Sequence, residues 1–207
     1  MELYKNFKLE KGYSYSIVGI CKNAGKTTIL NQLLREFSHE GIISGITSIG
    51  VDGETTDRNF NTEKPKIKIY ASNYFATCKS SLKNKDAKII TNTGISTYFG
   101  DIYICKANTD LYCEIIGPRT LNEIKKTSKL LQKYTDIVLI DGALDRVTAA
   151  SPFISDGYIL AISPGYFNHK DEIEIKLNEL KLKYFELPSE KDLSQRFHLK
   201  TLQEIFE

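Results

Sequence analysis

An α/β fold, with a mainly parallel central sheet flanked by helices in three layers, is what this 207-residue sequence predicts on two observations. Short apolar runs of strand character alternate with stretches whose apolar residues recur at helical spacing, the order in which parallel sheets are built. The first apolar run also passes through a glycine-containing loop straight into an amphipathic helix. The chain is long enough to bury a sizeable core, and 41% hydrophobic with 26% charged residues is a globular composition. No repeat, low-complexity segment or linker divides it, so residues 1–207 are expected to form a single domain.

Taken in order, Tyr13–Gly19 (YSYSIVG) predicts a buried strand entered through the turn residues Lys11 and Gly12. Thr27–Glu40 places Ile29, Leu30, Leu33, Leu34 and Phe37 on one helical face, and Gly41 stops the helix. Ile42–Ile49 predicts a second strand, followed by a turn at Asp52 and Gly53. Glu54–Pro65 is polar and reads as a surface loop. Lys66–Tyr70 predicts a short strand, Ser72–Leu82 a helix, and Lys88–Thr91 another short strand. Gly100–Lys106 and Leu111–Ile116 are expected to pair as a hairpin across Ala107–Asp110. Gly117 and Pro118 lead into a helix reaching about Tyr134, with Leu121, Ile124, Leu130 and Leu131 inward. The apolar run Asp136–Ile140 ends at Asp141 and Gly142, and Tyr158–Ile162 is closed by Ser163, Pro164 and Gly165. The tail predicts a helix over Lys170–Leu180, a strand near Tyr184–Leu187 and a helix over Leu199–Phe206.

Composition excludes several classes. A formal charge of +2 is too small for a protein held to nucleic acid by phosphate neutralisation, and Lys125 and Lys126 read as a solvated helix face. Cys21, Cys78, Cys105 and Cys113 contain no CxxC pair, which favours free thiols over a zinc site or disulfide framework. The first residues, MELYKNFKLEKGYSYS, lack the apolar core of a signal peptide, and no apolar run reaches the roughly 18 residues of a membrane span. A cytoplasmic protein that engages neither membrane nor nucleic acid is expected.

The sharpest motif is GICKNAGKTT, Gly19–Thr28, between the first strand and the first helix. Backbone N–H groups of such a loop surround phosphate oxygens, and the helix amino terminus adds partial positive charge. In this P-loop pattern Gly19, Lys22, Asn23, Ala24, Gly25, Lys26, Thr27 and Thr28 are the candidate nucleotide-binding residues. Gly25 permits close approach, Lys26 reaches the β- and γ-phosphates, and the Thr27 hydroxyl ligates Mg²⁺. Five residues, rather than the usual four, separate Gly19 from Gly25. Either the loop is one residue longer or Ile20 takes the first-glycine place.

Such a site needs a carboxylate at a neighbouring strand end to hold Mg²⁺. Asp141, after the run IVLI, is the first candidate and joins Lys26 as a catalytic residue; Asp52 is the second metal candidate, with Glu54 and Asp57 behind it. A plain strand-ending Asp-Gly turn is the competing reading, and the chain has others at Asp52–Gly53 and Asp156–Gly157. Cys21 reads as a small residue that fits the loop, and His39, His169 and His198 are isolated. Asn168–Asp171 (NHKD) misses the guanine-reading N-K-x-D pattern by one place, so ATP is the default nucleotide and GTP stays open.

Five strings now stand together: VGICKNAGKTT (Val18–Thr28), TSIGVDGE (Thr47–Glu54), TNTGIST (Thr91–Thr97), EIIGP (Glu114–Pro118) and IDGALDR (Ile140–Arg146). In this order they resemble the small P-loop subunit of the reactivating factors for cobalamin-dependent lysine 5,6-aminomutase and ornithine aminomutase. The resemblance runs from about Ser14 to Gly165. It implies an ATPase working with a larger MutS-like partner subunit to release damaged cobalamin from the aminomutase. It places Lys26 and Thr27 at the nucleotide and Asp52 and Asp141 at the metal, and gives Asp145 and Arg146 no assigned chemistry. The loop is similar, more broadly, to the class containing dethiobiotin synthetase, whose members commonly dimerise across the nucleotide site, which implies a homodimer as one open arrangement.

Two other readings compete. One is a small-molecule kinase or ATP-dependent ligase of dethiobiotin-synthetase type, with a substrate pocket built from Asp52–Asp57 and Thr91–Thr97. The other is a nucleotide-binding adaptor with negligible turnover.

Overall fold

The computed structural model describes residues 3–19, 24–50, 66–82, 86–144, 154–163, 171–175 and 178. By internal contacts the chain divides into two compact units, 1–163 and 164–207. In the second unit 171–175 and 178 are helical. The elements of the first unit are α1 (Leu3–Asn6), β1 (Ser14–Gly19), α2 (Lys26–His39), β2 (Ser44–Ser48), β3 (Ile67–Ile69) and β4 (Tyr74–Cys78), then a 3-10 turn at Lys79–Ser81. They continue with β5 (Ala87–Thr97), β6 (Gly100–Ala107), β7 (Leu111–Cys113), α3 (Leu121–Gln132), β8 (Ile137–Leu144) and β9 (Gly157–Ala161).

The fold is α/β. Seven strands form one mixed sheet in the order β5-β6-β4-β2-β8-β1-β9. From β4 to β9 every pairing is parallel, whereas β6 runs antiparallel to both β4 and β5. Alternation along β8 shows how the sheet is covered. Ile137 and Leu139 join the cluster built on Leu30, Leu33, Leu34 and Phe37 of α2, while Val138 and Ile140 join that of Ile124 and Leu131 of α3. Successive side chains of a strand point to opposite faces, so α2 and α3 cover opposite sides. At the crossing of α3, a Cβ added to Gly45 of β2 would lie 3.2 Å from Leu131 Cβ, so the glycine lets helix and strand approach closely.

The helix starts follow local chemistry. Thr120 and Glu123 form a capping box at α3: the Thr120 hydroxyl oxygen accepts from the Glu123 N–H, and the Glu123 carboxylate accepts from the Thr120 N–H. The buried carboxylate of Glu36 in α2 accepts the Leu3 and Tyr4 N–H groups at 3.0 and 2.8 Å, holding α1 against α2.

Three sequence expectations fail. Ser72–Leu82 is not a helix but the central strand β4 and the 3-10 turn. Its contiguous residues Phe75, Ala76, Thr77 and Cys78 are buried because β2 and β6 flank the strand, and so short an apolar run does not separate helix from strand by periodicity. Gly100–Lys106 and Leu111–Ile116 do not pair. β6 instead turns back on β5 through the exposed Tyr98 and Phe99, and β7 pairs with β3 in a separate two-stranded antiparallel sheet. The strand expected at Lys88–Thr91 runs on to Thr97, through two register irregularities. The expected tail elements at 184–187 and 199–206 lie outside the described residues. Among those described, no helix is long and apolar enough to cross a membrane.

Candidate functional site

The site starts where β1 ends. Parallel neighbours on both sides, β8 and β9, hold β1, so its last residue Gly19 is fixed by backbone pairing with Leu144 and Ala161. The chain re-enters the described residues at Ala24, which is buried in a small cluster with Ala161 of β9, Ile29 packing against both. Gly25 then adopts φ +90 and ψ 13, a left-handed conformation that favours glycine, and serves as the amino-terminal cap of α2. A glycine brings no side-chain acceptor to the first N–H groups of the helix, which have no intrahelical partner.

Lys26 is the first residue of α2 and is 9% exposed. Its stem folds back over the end of β1: a Cβ built on Gly19 would sit 3.1 Å from both Lys26 Cγ and Cδ, and 3.1 Å from Ala24 Cβ. Gly19 is therefore the residue beneath the lysine stem. Thr27 is half-buried and Thr28 exposed on the same turn.

Asp141 lies on β8, the strand next to β1, and is 6% exposed. The sequence reading ends the strand at Ile140 with an Asp-Gly turn; in the structure β8 continues to Leu144. Between the pairs Ser16–Ile140 and Val18–Ala143, β8 carries one more residue than β1, which makes Asp141 and Gly142 a bulge. Gly142 has φ +88. Continuing the alternation of Ile137 and Leu139, Asp141 falls on the α2 face, the face from which Lys26 comes.

The carboxyl end of β2 completes the arrangement. Ser48 pairs with Asp141, and the Ile49 N–H donates to the Asp141 carbonyl at 2.8 Å. The Gly50 N–H donates to the Pro118 carbonyl at 2.7 Å, and the Gly117 N–H to the Gly50 carbonyl at 3.1 Å. A Cβ on Gly117 would lie 1.7 Å from the Ser48 carbonyl oxygen, and one on Gly142 would lie 2.7 Å from Ser48 Oγ and 3.0 Å from Ile49 N. Parts of three quoted strings thus meet at one seam: Thr47–Gly50, Gly117–Pro118 and Asp141–Gly142.

Gly117 and Gly142 carry no role in the sequence reading, although the G-P and D-G dipeptides mark them as places of unusual backbone. Thr91–Thr97 is not brought to this seam. It lies on edge strand β5, five strand spacings from β1, about 24 Å across a sheet. There Asn92 and Thr93 serve the strand itself, through the Gly94 N–H to Asn92 Oδ1 and the Thr93 hydroxyl to the Ile102 carbonyl. Cys21, Lys22, Asn23, Asp52, Glu54, Asp57, Asp145, Arg146 and Asn168–Lys170 lie outside the described residues. Cys78, Cys105 and Cys113 are buried and free, and burial pushes the Cys105 and Cys113 thiols up to about 12.

Among the described residues no group of three or more His, Cys, Asp or Glu side chains is placed to hold a metal. The Thr27, Asp52 and Asp141 set expected for Mg²⁺ has Asp52 outside that range. The donor types at Thr27 and Asp141, a hydroxyl and a carboxylate, are hard oxygens that fit Mg²⁺. The side-chain-free approach at Gly25, with nothing among the described residues within 4 Å of an added Cβ, fits an anion resting on the start of α2. No protein-family model matches the chain, and no curated protein is significantly similar to it.

Proposed function

We propose that this chain is a P-loop nucleoside-triphosphate-binding protein, with ATP as its nucleotide, Mg²⁺ as its metal and slow hydrolysis as its reaction. The observation that carries the reading is Lys26 folded back over Gly19 at the end of β1, with buried Asp141 on the adjacent parallel strand. The same neighbourhood would be an odd outcome for a chance Gly-Lys-Thr at a helix start, because a buried lysine at that position needs an anionic or hydrogen-bonding neighbour.

In this reading the loop amides and the start of α2 cradle the β-phosphate, and the Lys26 ammonium neutralises charge shared between the β- and γ-phosphates. Thr27 and Asp141, with Asp52, would hold Mg²⁺, which supplies further neutralisation of the phosphate oxygens. The end of β2 ties Asp141 in place on β8 through the Ile49 N–H and the Ser48 pairing. No described residue stands out as one that positions the attacking water, which suits an ATPase completed by a partner.

For the physiological role we infer a reactivation factor for a cobalamin-dependent aminomutase, acting with a larger ATPase subunit. Its support is the resemblance of the five strings, together with the meeting of three of them at one seam. The kinase alternative loses support because one proposed pocket wall, Thr91–Thr97, stands on the far edge of the sheet.

The test is an affinity capture from native lysate with and without Mg-ATP, with Lys26→Ala as control. Nucleotide-dependent recovery of a cobalamin enzyme with a large ATPase, lost in Lys26→Ala, is the expected result. Transfer of the γ-phosphate to a metabolite by the isolated protein, with no protein recovered, would replace this reading by the kinase.

A further inference from the structure

The outer face of α3 carries a charge pattern that the nucleotide site does not use. Lys126, Lys129 and Lys133 are exposed and follow one another at i, i+3 and i+7, so they form one row along the helix. With Asn122, Lys125 and Leu130 they line a shallow depression of about 440 Å³. The helix's own carboxylate, Glu123, is occupied in the capping box. Among the described residues Lys126, Lys129 and Lys133 make no ion pair. Lys126 reaches toward the β5 edge, its Nζ 3.5 Å from a Cβ built at Gly94.

Like charges at i, i+3 and i, i+4 repel, so Lys126–Lys129, Lys125–Lys129 and Lys129–Lys133 each work against the free helix. With four lysines lining it and the helix's one carboxylate, Glu123, held in the capping box, this face of α3 is positive and complementary to an anionic surface.

We propose that this face of α3 is the docking surface for an acidic amphipathic helix of a partner protein. The spacing selects a helix. At a rise of about 1.5 Å per residue the row has steps of about 4.5 and about 6 Å, which carboxylates at i, i+4 and i+7 of an antiparallel helix reproduce. Same-face residues of an extended strand repeat at about 6.6 Å and fall out of step. Leu130, with the aliphatic stems of the lysines, gives an apolar floor for a leucine between the carboxylates. A nucleic acid is the less favoured occupant, because the face offers too few cations for a phosphate track.

The test uses the full chain and three labelled probes: a synthetic helix with Glu at i, i+4 and i+7 around one Leu, the same helix with Gln, and a single-stranded oligonucleotide of equal charge. Fluorescence anisotropy is expected to show binding of the Glu helix that weakens as salt rises, with little binding of the Gln helix. The triple variant Lys126→Gln, Lys129→Gln, Lys133→Gln should bind the Glu helix about tenfold more weakly. Lys79→Gln, on the 3-10 turn, should not. The melting temperature of the triple variant should equal or exceed that of the parent; a clear drop would assign the lysines a structural role and overturn the proposal. Equal binding of the Glu and Gln helices, no binding, an unaffected triple variant, or tighter binding of the oligonucleotide would each overturn it as well.

Discussion

The two halves of the central sheet are built on opposite requirements. Around the carboxyl ends of β2 and β8 the chain packs backbone against backbone, and the geometry depends on side chains that are missing: Gly19, Gly117 and Gly142 each sit where a methyl group would meet another residue at 3.1 Å or less. On the flank formed by β4, β6 and β5 the geometry depends on side chains that are present. Phe75, Ala76, Cys78, Ile102, Ile104 and Cys105 fill both faces of those strands at full burial. The candidate site lies in the first half. Close backbone approach ties Asp141 to the end of β2 through the Ile49 N–H, whereas the flank is ordinary core.

Adding an atom should therefore damage the first half and removing atoms should damage the second. Gly117→Ala is expected to have the largest effect, because its methyl group would overlap the Ser48 carbonyl at 1.7 Å and backbone must move. A loss of about 4 kcal/mol or more in urea unfolding is expected. Gly41→Ala is the matching control: φ is +67 but no described residue lies within 4 Å of an added Cβ, so only conformational strain of about 1 kcal/mol is expected. Comparable losses in the two variants would break the comparison.

Phe75→Ala, a deletion at a fully buried position of β4, should cost about 3 kcal/mol or more, while leaving whatever nucleotide affinity the folded protein has. Gly142→Ala should cost about 2 kcal/mol, since Ser48 Oγ at 2.7 Å can rotate away but Ile49 at 3.0 Å cannot. Unlike Phe75→Ala, it should also weaken Mg-ATP binding, because it disturbs the bulge that contains Asp141. Equal affinities in the two folded variants would sever the seam from the site.

How far the sequence revealed each half follows from the same contrast. The β1–loop–α2 unit was legible because glycine, lysine and threonine stand at fixed offsets between an apolar run and a helical face. β2, β8, β9 and α3 were legible from apolar runs and turn residues. The flank was misread because Tyr74–Cys78 is a short contiguous apolar run, which carries neither period, and because strand pairing across β4, β6 and β5 is not encoded in local turn chemistry. Within the site, the Asp141–Gly142 bulge escaped notice since Asp-Gly is also the commonest kind of strand stop. The role of Gly117 escaped because only the fold brings it to Ser48.

The smallest expected effect is at the small β3–β7 sheet, which packs on α2 outside the central sheet. The Asp110 carboxylate accepts the Ala71 N–H at 3.0 Å and pairs with Lys68 at 3.1 Å, and these contacts, the first the larger, hold it below its ordinary value of 3.8. A carboxyl depressed by folding contributes stability in full above its unfolded value and loses it as pH falls through the folded value. Between about pH 5 and about pH 2 the parent should lose slightly more stability than Asp110→Asn, measured by urea unfolding. An identical pH profile would remove this contact from the account.

The central claim rests on Lys26 over Gly19 beside Asp141, and isothermal titration of Mg-ATP into the parent, Lys26→Ala and Asp141→Asn tests it most directly. The account predicts binding by the parent, loss of at least about a hundredfold in Lys26→Ala, and in Asp141→Asn a loss that appears with Mg-ATP but not with ATP in excess chelator. Unchanged affinity in a folded Lys26→Ala, or no binding of ATP or GTP by the parent, would contradict it.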